Sequence, residues 1–383
     1  MDHNATTPCD RRVVEAMLPF FTGHFGNAAS RTHSFGWEAE EAVEYAREQV
    51  ARLIGAEPKE IIFTSGATEG DNLALKGVFE TYGVKGKHMI TAVTEHKAVI
   101  DTCKHIEKLG GDITWLPVDN QGLINLQQLE AAIRPDTVLI AIMYANNETG
   151  VVQPIAEIGA LAKKHGVLFF TDAAQAAGKL PIDVNTDGVD LLTISAHKLY
   201  GPKGVGALYV RRKGPRVKLA AQMDGGGHEK GMRSGTLNVP GIVALGKACE
   251  LAGQEMAADT ERLGRLRDKL ENALLHLGNV YVNGHPQQRL PHVSNLSFGM
   301  LEGQGLIMAL QKDIALSSGS ACTSASMEPS YVLKAMGVED ELAFSSLRFA
   351  LGRQSTGEEV DFVIEQVSAT VNKLRDIQKA LIH

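Results

Sequence analysis

Between Ile61 and Val210 the chain repeats one pattern, a short apolar run followed by a polar turn and then, in several cases, a helical stretch. The strand-sized runs are Ile61–Thr64, Met89–Val93, Ile113–Val118, Val138–Tyr144, Val167–Thr171, Asp190–Ile194 and Gly206–Val210. Helical stretches at Val99–Leu109, Leu126–Ile133 and Ile155–His165 fall between them. Strands that alternate with helices pair in parallel, because the return helix must cross a face of the sheet. The pattern therefore predicts an α/β fold with a large, doubly wound, mostly parallel seven-stranded sheet.

Ahead of the first strand, Ala39, Val43, Ala46, Val50 and Leu53 fall on one face of a predicted helix Ala39–Ile54, stopped by Gly55. The rhythm breaks near residue 250. A long helical pattern Glu255–Leu277 follows, then strands Val280–Val282 and Val293–Phe298, a small-residue loop, and a last helix Glu358–Ile377 behind a capping box of Ser355 and Glu358. These changes predict a large domain at 13–250 and a smaller α+β domain at 251–383, to which an N-terminal arm, 1–12, returns. With 383 residues, 44% of them hydrophobic, the chain can fill two cores.

A net charge of -7 argues against a nucleic-acid face. No apolar stretch reaches the roughly 20 residues of a membrane span, and no signal peptide is visible at the N-terminus. Cys9, Cys103, Cys249 and Cys322 are widely spaced and form no C-x-x-C pair, so neither a structural zinc nor a disulfide framework is expected. The expectation is a cytoplasmic, reduced protein that holds no metal as the free chain.

Ligands of open α/β sheets bind beyond the carboxyl ends of the strands, and polar residues collect at those ends here. Ser65-Gly66-Ala67-Thr68 joins a strand to a helix, which suits either a phosphate cradle or an ordinary N-cap turn. Asn146-Asn147-Glu148 follows Val138–Tyr144. Asp172 and Gln175 follow one of the most apolar runs, where a carboxylate needs a cation: a pyridinium nitrogen or an arginine. His96 and the set Ser195, His197 and Lys198 also follow strands, and a lysine so placed suits a Schiff base. Together these are a phosphate cradle, an acid for a ring nitrogen, an aromatic to cover a ring and a lysine for an aldehyde. Pyridoxal phosphate needs those four things.

Longer motifs carry a resemblance. The segments D-H-N-A-T-T-P, F-T-S-G-A-T-E, T-E-H-K-A-V, A-N-N-E-T-G-V-V-Q-P-I, T-D-A-A-Q, S-A-H-K-L-Y-G-P-K-G-V-G, G-G-G-H-E-K-G-M-R-S-G-T, S-S-G-S-A-C-T-S and L-R-F-A-L-G-R run nearly end to end. They resemble the cysteine desulfurases of the NifS/IscS group, pyridoxal-phosphate enzymes of aminotransferase class V and fold type I. The resemblance implies that Lys198 bonds the cofactor, Asp172 keeps its ring nitrogen protonated, Gln175 bonds the ring oxygen, and His96 stacks on the ring and assists proton transfer. Ala67, Thr68, Ser195 and His197 would hold the phosphate. Thr236 would complete the cradle from a neighbouring subunit, which implies a homodimer. Asn147 and Arg348 would meet the substrate, with Arg348 as a carboxylate fork. Ala28 stands where the pattern usually has proline, and Phe344 where histidine is frequent.

Cys322 lies among small residues in S-S-G-S-A-C-T-S-A-S, a poor setting for a packed, inert thiol and a suitable one for a loop that swings between site and acceptor. The implied reaction takes L-cysteine to L-alanine and leaves a persulfide on Cys322 for an acceptor protein. An iron–sulfur scaffold is the most direct acceptor, and with it Cys322 could transiently ligate a cluster. Selenocysteine lyase, another class V aminotransferase activity and a sulfur-relay platform are the alternatives.

Overall fold

The computed structural model describes residues 1–301, 303–318 and 328–382. Its large sheet is organised around a central strand, Leu168–Asp172, buried along its whole length. Phe169 packs into one apolar cluster and the adjacent Phe170 into another. Successive side chains of a strand point to opposite faces, so a strand covered on both sides must be apolar throughout.

The strands are β1 (Ile61–Thr64), β2 (His88–Ala92), β3 (Asp112–Leu116), β4 (Thr137–Ala141), β5 (Leu168–Asp172), β6 (Leu191–Ser195) and β7 (Gly206–Val210). Their order is β1-β7-β6-β5-β4-β2-β3. Pairings from β3 through β6 are parallel, and β7 pairs antiparallel with both β6 and β1. The predicted doubly wound, mostly parallel seven-stranded sheet is therefore present, with β7 as the one reversed strand. Gly206 fits there because a Cβ on it would meet Ile194 O at 2.5 Å and Gly66 Cα at 2.7 Å. That close approach seats the turn after β1 against the ends of β6 and β7.

Predicted boundaries move by a residue or a few. The run Val138–Tyr144 outlasts β4, yet Ile142 N still donates to Phe170 O and Tyr144 N to Asp172 O, so the extended chain continues towards the site. The first long helix is Ser34–Leu53 rather than Ala39–Ile54. Instead of starting at Glu255, the helix over this region is Val239–Leu275, 37 residues without a break at residue 250. Its first half lies against helix Ser34–Leu53, where a Cβ on Gly246 would meet Ala46 Cα at 2.6 Å. In its second half, Leu263, Leu270 and Leu274 join a separate apolar cluster with Leu296, Phe298, Leu347, Phe349 and Val360.

That cluster surrounds a second sheet of β8 (Val280–Val282), β9 (Val293–Phe298) and β10 (Ser346–Ala350), in the order β10-β9-β8. The final helix, Gly357–Ile382, is capped one residue later than expected. Thr356 and Glu359 exchange side-chain and backbone hydrogen bonds at 3.2 Å each, whereas the Ser355 hydroxyl accepts from Gly352 N. At the other end of the chain, Asp2 bridges Ala350 in parallel and the Met1 amino group donates to Ala315 O at 2.8 Å. The start of the chain thus lies alongside β10.

Candidate active site

Five strand ends of the large sheet open onto one cavity of about 530 Å³, within the usual size range of small-ligand sites. Beyond β1 the chain turns at Ser65-Gly66 into helix Ala67–Tyr82, whose N-terminus has no side-chain cap. Its first amides can therefore serve an anion, beside Ser195 Oγ, which would lie 3.9 Å from a Cβ on Gly66. Beyond β2, His96 Nδ1 accepts from Ala98 N at 3.2 Å and caps helix Lys97–Lys108. Since Nδ1 is an acceptor, the neutral ring carries its proton on Nε2.

The two asparagines after β4 divide the work. Asn146 is a turn residue: its Oδ1 accepts from Glu148 N and Thr149 N, and its Nδ2 donates to Thr94 O. Asn147 instead uses its backbone carbonyl, which accepts from Asn4 Nδ2 at 3.1 Å and Arg348 Nη1 at 2.7 Å. Its buried side-chain Oδ1 has no partner among the described residues.

Asp172 closes β5, and its Oδ1 accepts from Ala174 N at 2.9 Å. Burial raises this carboxyl above the ordinary range, with His96 and Lys198 on the opposing side. Gln175 Nε2 donates to Asn4 O at 3.0 Å, and its buried Oε1 has no partner among the described residues. Beyond β6, the short 3-10 turn Ala196–Lys198 places Lys198 Nζ against the carbonyls of Asn4 and Ala5, the latter at 2.8 Å. Burial, then Arg348, lowers this amine to about 8. His197 is lowered to about 4, again chiefly by burial. Arg348, on β10, pairs with Asp2 at 2.7 Å, and among the described residues its buried Nε has no partner.

The expected residues Ala67, Thr68, His96, Asn147, Asp172, Gln175, Ser195, His197, Lys198 and Arg348 all line this cavity. Thr236 does not; it is exposed, outside its own chain's cavity. Cys322 lies outside the described residues. Cys103 and Cys249 are buried and burial pushes both thiols up to about 12, while half-buried Cys9 is also raised, so none of the three readily gives a thiolate. The sequence reading singled out neither Lys203, which also lines the cavity, nor the Asp2 partner of Arg348, nor buried Asp71 and Glu95 beneath it.

The unpartnered oxygens of Asn147 and Gln175 and the Nε of Arg348 are polar atoms that a bound polar group would satisfy. An uncapped helix start, a buried carboxylate and a lysine of lowered basicity share the same space. That donor set fits pyridoxal phosphate.

The family model described as aminotransferase class-V matches residues 1–363, and the chain belongs to that family. Its cofactor is pyridoxal phosphate. Within the family, the chain is 60% identical over 378 residues to the cysteine desulfurase IscS of Anaeromyxobacter sp. (strain Fw109-5), covering 98% of this chain and 93% of that protein. It is 58% identical over 379 residues to the cysteine desulfurase IscS of Pectobacterium carotovorum subsp. carotovorum (strain PC1), with 98% and 93% covered. Among solved structures, a NifS-like protein matches with a TM-score of 0.91 at 38% identity, over 97% of this chain and 99% of that one.

Proposed function

We propose the following reading of the site. The chain is a pyridoxal-phosphate-dependent cysteine desulfurase that converts L-cysteine to L-alanine and passes the sulfur on as a persulfide. The observation that carries it is the convergence of Lys198, Asp172, His96 and Arg348 on one cavity. Bound there, pyridoxal phosphate supplies an electron sink for the carbon that loses its proton.

The chain's own residues do the rest. The first amides of helix Ala67–Tyr82, with Thr68, Ser195 and His197, hold the phosphate. Asp172 holds the ring nitrogen, Gln175 the ring oxygen, and His96 covers the ring. Arg348 and Asn147 grip the substrate, the guanidinium as a fork on its carboxylate. Lys198, already poor in protons for a lysine, takes the proton from the substrate α-carbon, with His96 assisting. The Cys322 thiolate then attacks the substrate sulfur. A sulfur–sulfur bond forms, the substrate carbon–sulfur bond breaks with its electrons going to the β-carbon, and protonation of that carbon, with return of a proton from Lys198 to the α-carbon, gives alanine.

The working form in this reading is a homodimer. Thr236 stands exposed away from its own cavity, free to complete the cradle of a second copy. Exposed Phe21, Phe25, Phe35 and Trp37 add an apolar surface of the kind that a subunit covers. The acceptor is a protein thiol, with an iron–sulfur scaffold as the preferred partner and the cytoplasm as the location. Among the described residues, no helix is long and apolar enough to cross a membrane. The division into domains at 13–250 and 251–383 is part of the same proposal; it rests on the separate apolar clusters around the two sheets.

Cys322→Ser tests the reading. The variant should bind the cofactor and take up cysteine like the wild type, and make almost no alanine, because a hydroxyl is a far poorer nucleophile towards sulfur. Wild-type protein given cysteine should carry dithiothreitol-removable sulfur on the Cys322 peptide. Near-normal alanine formation by the variant, or sulfur mapped to Cys9, Cys103 or Cys249, would overturn it.

A further inference from the structure

Beneath Asp172 lies a second carboxyl group that the reaction does not use. Asp71, on helix Ala67–Tyr82, is wholly buried, and among the described residues neither of its oxygens has a hydrogen-bond partner. Side-chain atoms of Asp71, His96 and Asp172 lie within 4.8 Å of one another. The helix is held tightly here: a Cβ on the preceding Gly70 would meet Thr193 Cγ2, on β6, at 2.7 Å. Asp71 therefore has little room to turn away.

Two buried carboxyls so close cannot both be charged, because each anion would lack water and face the other. The surroundings decide which of them keeps a proton. Asp172 has the Ala174 amide, His96 and Lys198 on its side. The groups that face Asp71 are the Thr193 hydroxyl, Asp172, His96, which it shares with Asp172, and, beyond the end of β2, the buried carboxyl of Glu95. Among the described residues Asp71 has neither the backbone amide nor the lysine that attend Asp172.

We propose that Asp71 is a positioning residue of the cofactor site, a buried carboxylic acid that retains its proton so that, of the two adjoining acids, Asp172 alone stands as a carboxylate. Its neutral O–H and C=O dipoles replace the water that the Asp172 anion has lost, without adding a second charge. The consequence for the cofactor rests on the role proposed for Asp172. The location of the proton does not.

The experiment compares wild type, Asp71→Asn and Asp71→Leu as full-length protein, with pyridoxal phosphate bound and after its removal. Infrared difference spectra at neutral pH should show one protonated-carboxyl band in wild type that is missing from Asp71→Asn in both states. Glu95, common to both proteins, cancels in the difference. Cofactor affinity in Asp71→Asn should stay within about threefold of wild type, since an amide offers similar dipoles, whereas Asp71→Leu should weaken it by about tenfold or more. The cofactor absorption band should be preserved in the asparagine variant. Absence of the infrared difference would show Asp71 to be ionised and overturn the proposal, as would asparagine and leucine variants that lose the cofactor equally. Should wild type bind no pyridoxal phosphate at all, the functional reading fails, and the infrared spectra still decide where the proton sits.

Discussion

Two buried polar clusters flank the large sheet, and they are built on opposite rules. Around Arg47 every demand is met. Its guanidinium donates to Ile61 O at 2.8 Å and to both oxygens of Glu229 at 2.9 Å, while Nε reaches Glu44 at 3.0 Å. Glu229 also accepts from Phe63 N at 2.7 Å, and the guanidinium lies 4.6 Å from the centre of the Phe63 ring. At the cavity, by contrast, Asn147, Gln175, Asp71, Glu95 and Arg348 each keep at least one buried polar atom without a partner among the described residues. An unpaired buried group costs about 1–3 kcal/mol, so such a cluster persists only where something else satisfies it or uses it. The first cluster holds the fold; in the function proposed above, the second serves cofactor and substrate.

Substitutions should separate the two, and the largest effect is expected at Lys198. Lys198→Ala should lower alanine formation by more than about a thousandfold and abolish the borohydride-fixed link between cofactor and chain, with little change in melting temperature. A reducible link that persists on another lysine, such as Lys203, would move the assignment. Arg47→Met should do the reverse. Its pair with Glu229 has 5% and 2% of the two side chains exposed, and leaving one buried charge alone costs about 3–5 kcal/mol. Chemical denaturation should show that loss, while the absorption spectrum of bound cofactor stays unchanged. Adding Glu229→Gln should return part of the stability, because the stranded charge is then gone.

A third test concerns Glu148, which belongs partly to each cluster type: its Oε2 accepts from the Ser330 hydroxyl at 2.5 Å, yet burial still raises the acid from 4.5 to about 7. Below pH 4.5 the group is protonated in both the folded and the unfolded chain, and its ionisation costs nothing. Between pH 4.5 and about 7 the unfolded chain releases the proton while the folded chain keeps it, so stability falls as the pH rises. Above about 7 the whole loss is present, on the order of 3 kcal/mol. Glu148→Gln should flatten the stability profile over that window relative to wild type. Parallel profiles for the two proteins would show that Glu148 is not held protonated.

The fully satisfied cluster was the harder one to foresee. Arg47 and Glu229 are 182 residues apart, and nothing local in either segment announces the other. The cavity was more legible because its residues sit directly after apolar runs, where the strand end fixes their position: Asp172 after Leu168–Thr171, Lys198 after Leu191–Ser195. Asp71 escaped because it lies within a helix, in a polar-looking E-G-D-N segment. Gly70 was the available signal, since a glycine inside a helix marks close approach to a neighbour. Asp2 and Asn4 escaped because their contacts depend on the chain start running beside β10 and over the sheet end. The pattern 255–277 located the second half of helix Val239–Leu275 and missed the first. Ala244, Gly246 and Ala248 are small because two helices touch there, and small residues give a weak apolar stripe.

The smallest effect is expected from the most conservative change, Arg348→Lys, and it tests whether unpaired atoms in the cavity are kept for substrate. The guanidinium has two attachments among the described residues, Asp2 through Nη2 and Asn147 O through Nη1, and none at Nε. A lysine ammonium can keep the charge and one or both of the existing bonds, so the fold and the chain start should stay in place. It cannot present a planar fork, and the donor directions left open for a substrate carboxylate disappear. KM for cysteine should therefore rise by about tenfold while the cofactor spectrum and melting temperature hold. A fall in kcat with KM unchanged would mean that Arg348 acts on the reacting centre and leaves the carboxylate to another group. Equal loss of stability would place Arg348 with Arg47, as a residue whose work is holding Asp2 and β10 together.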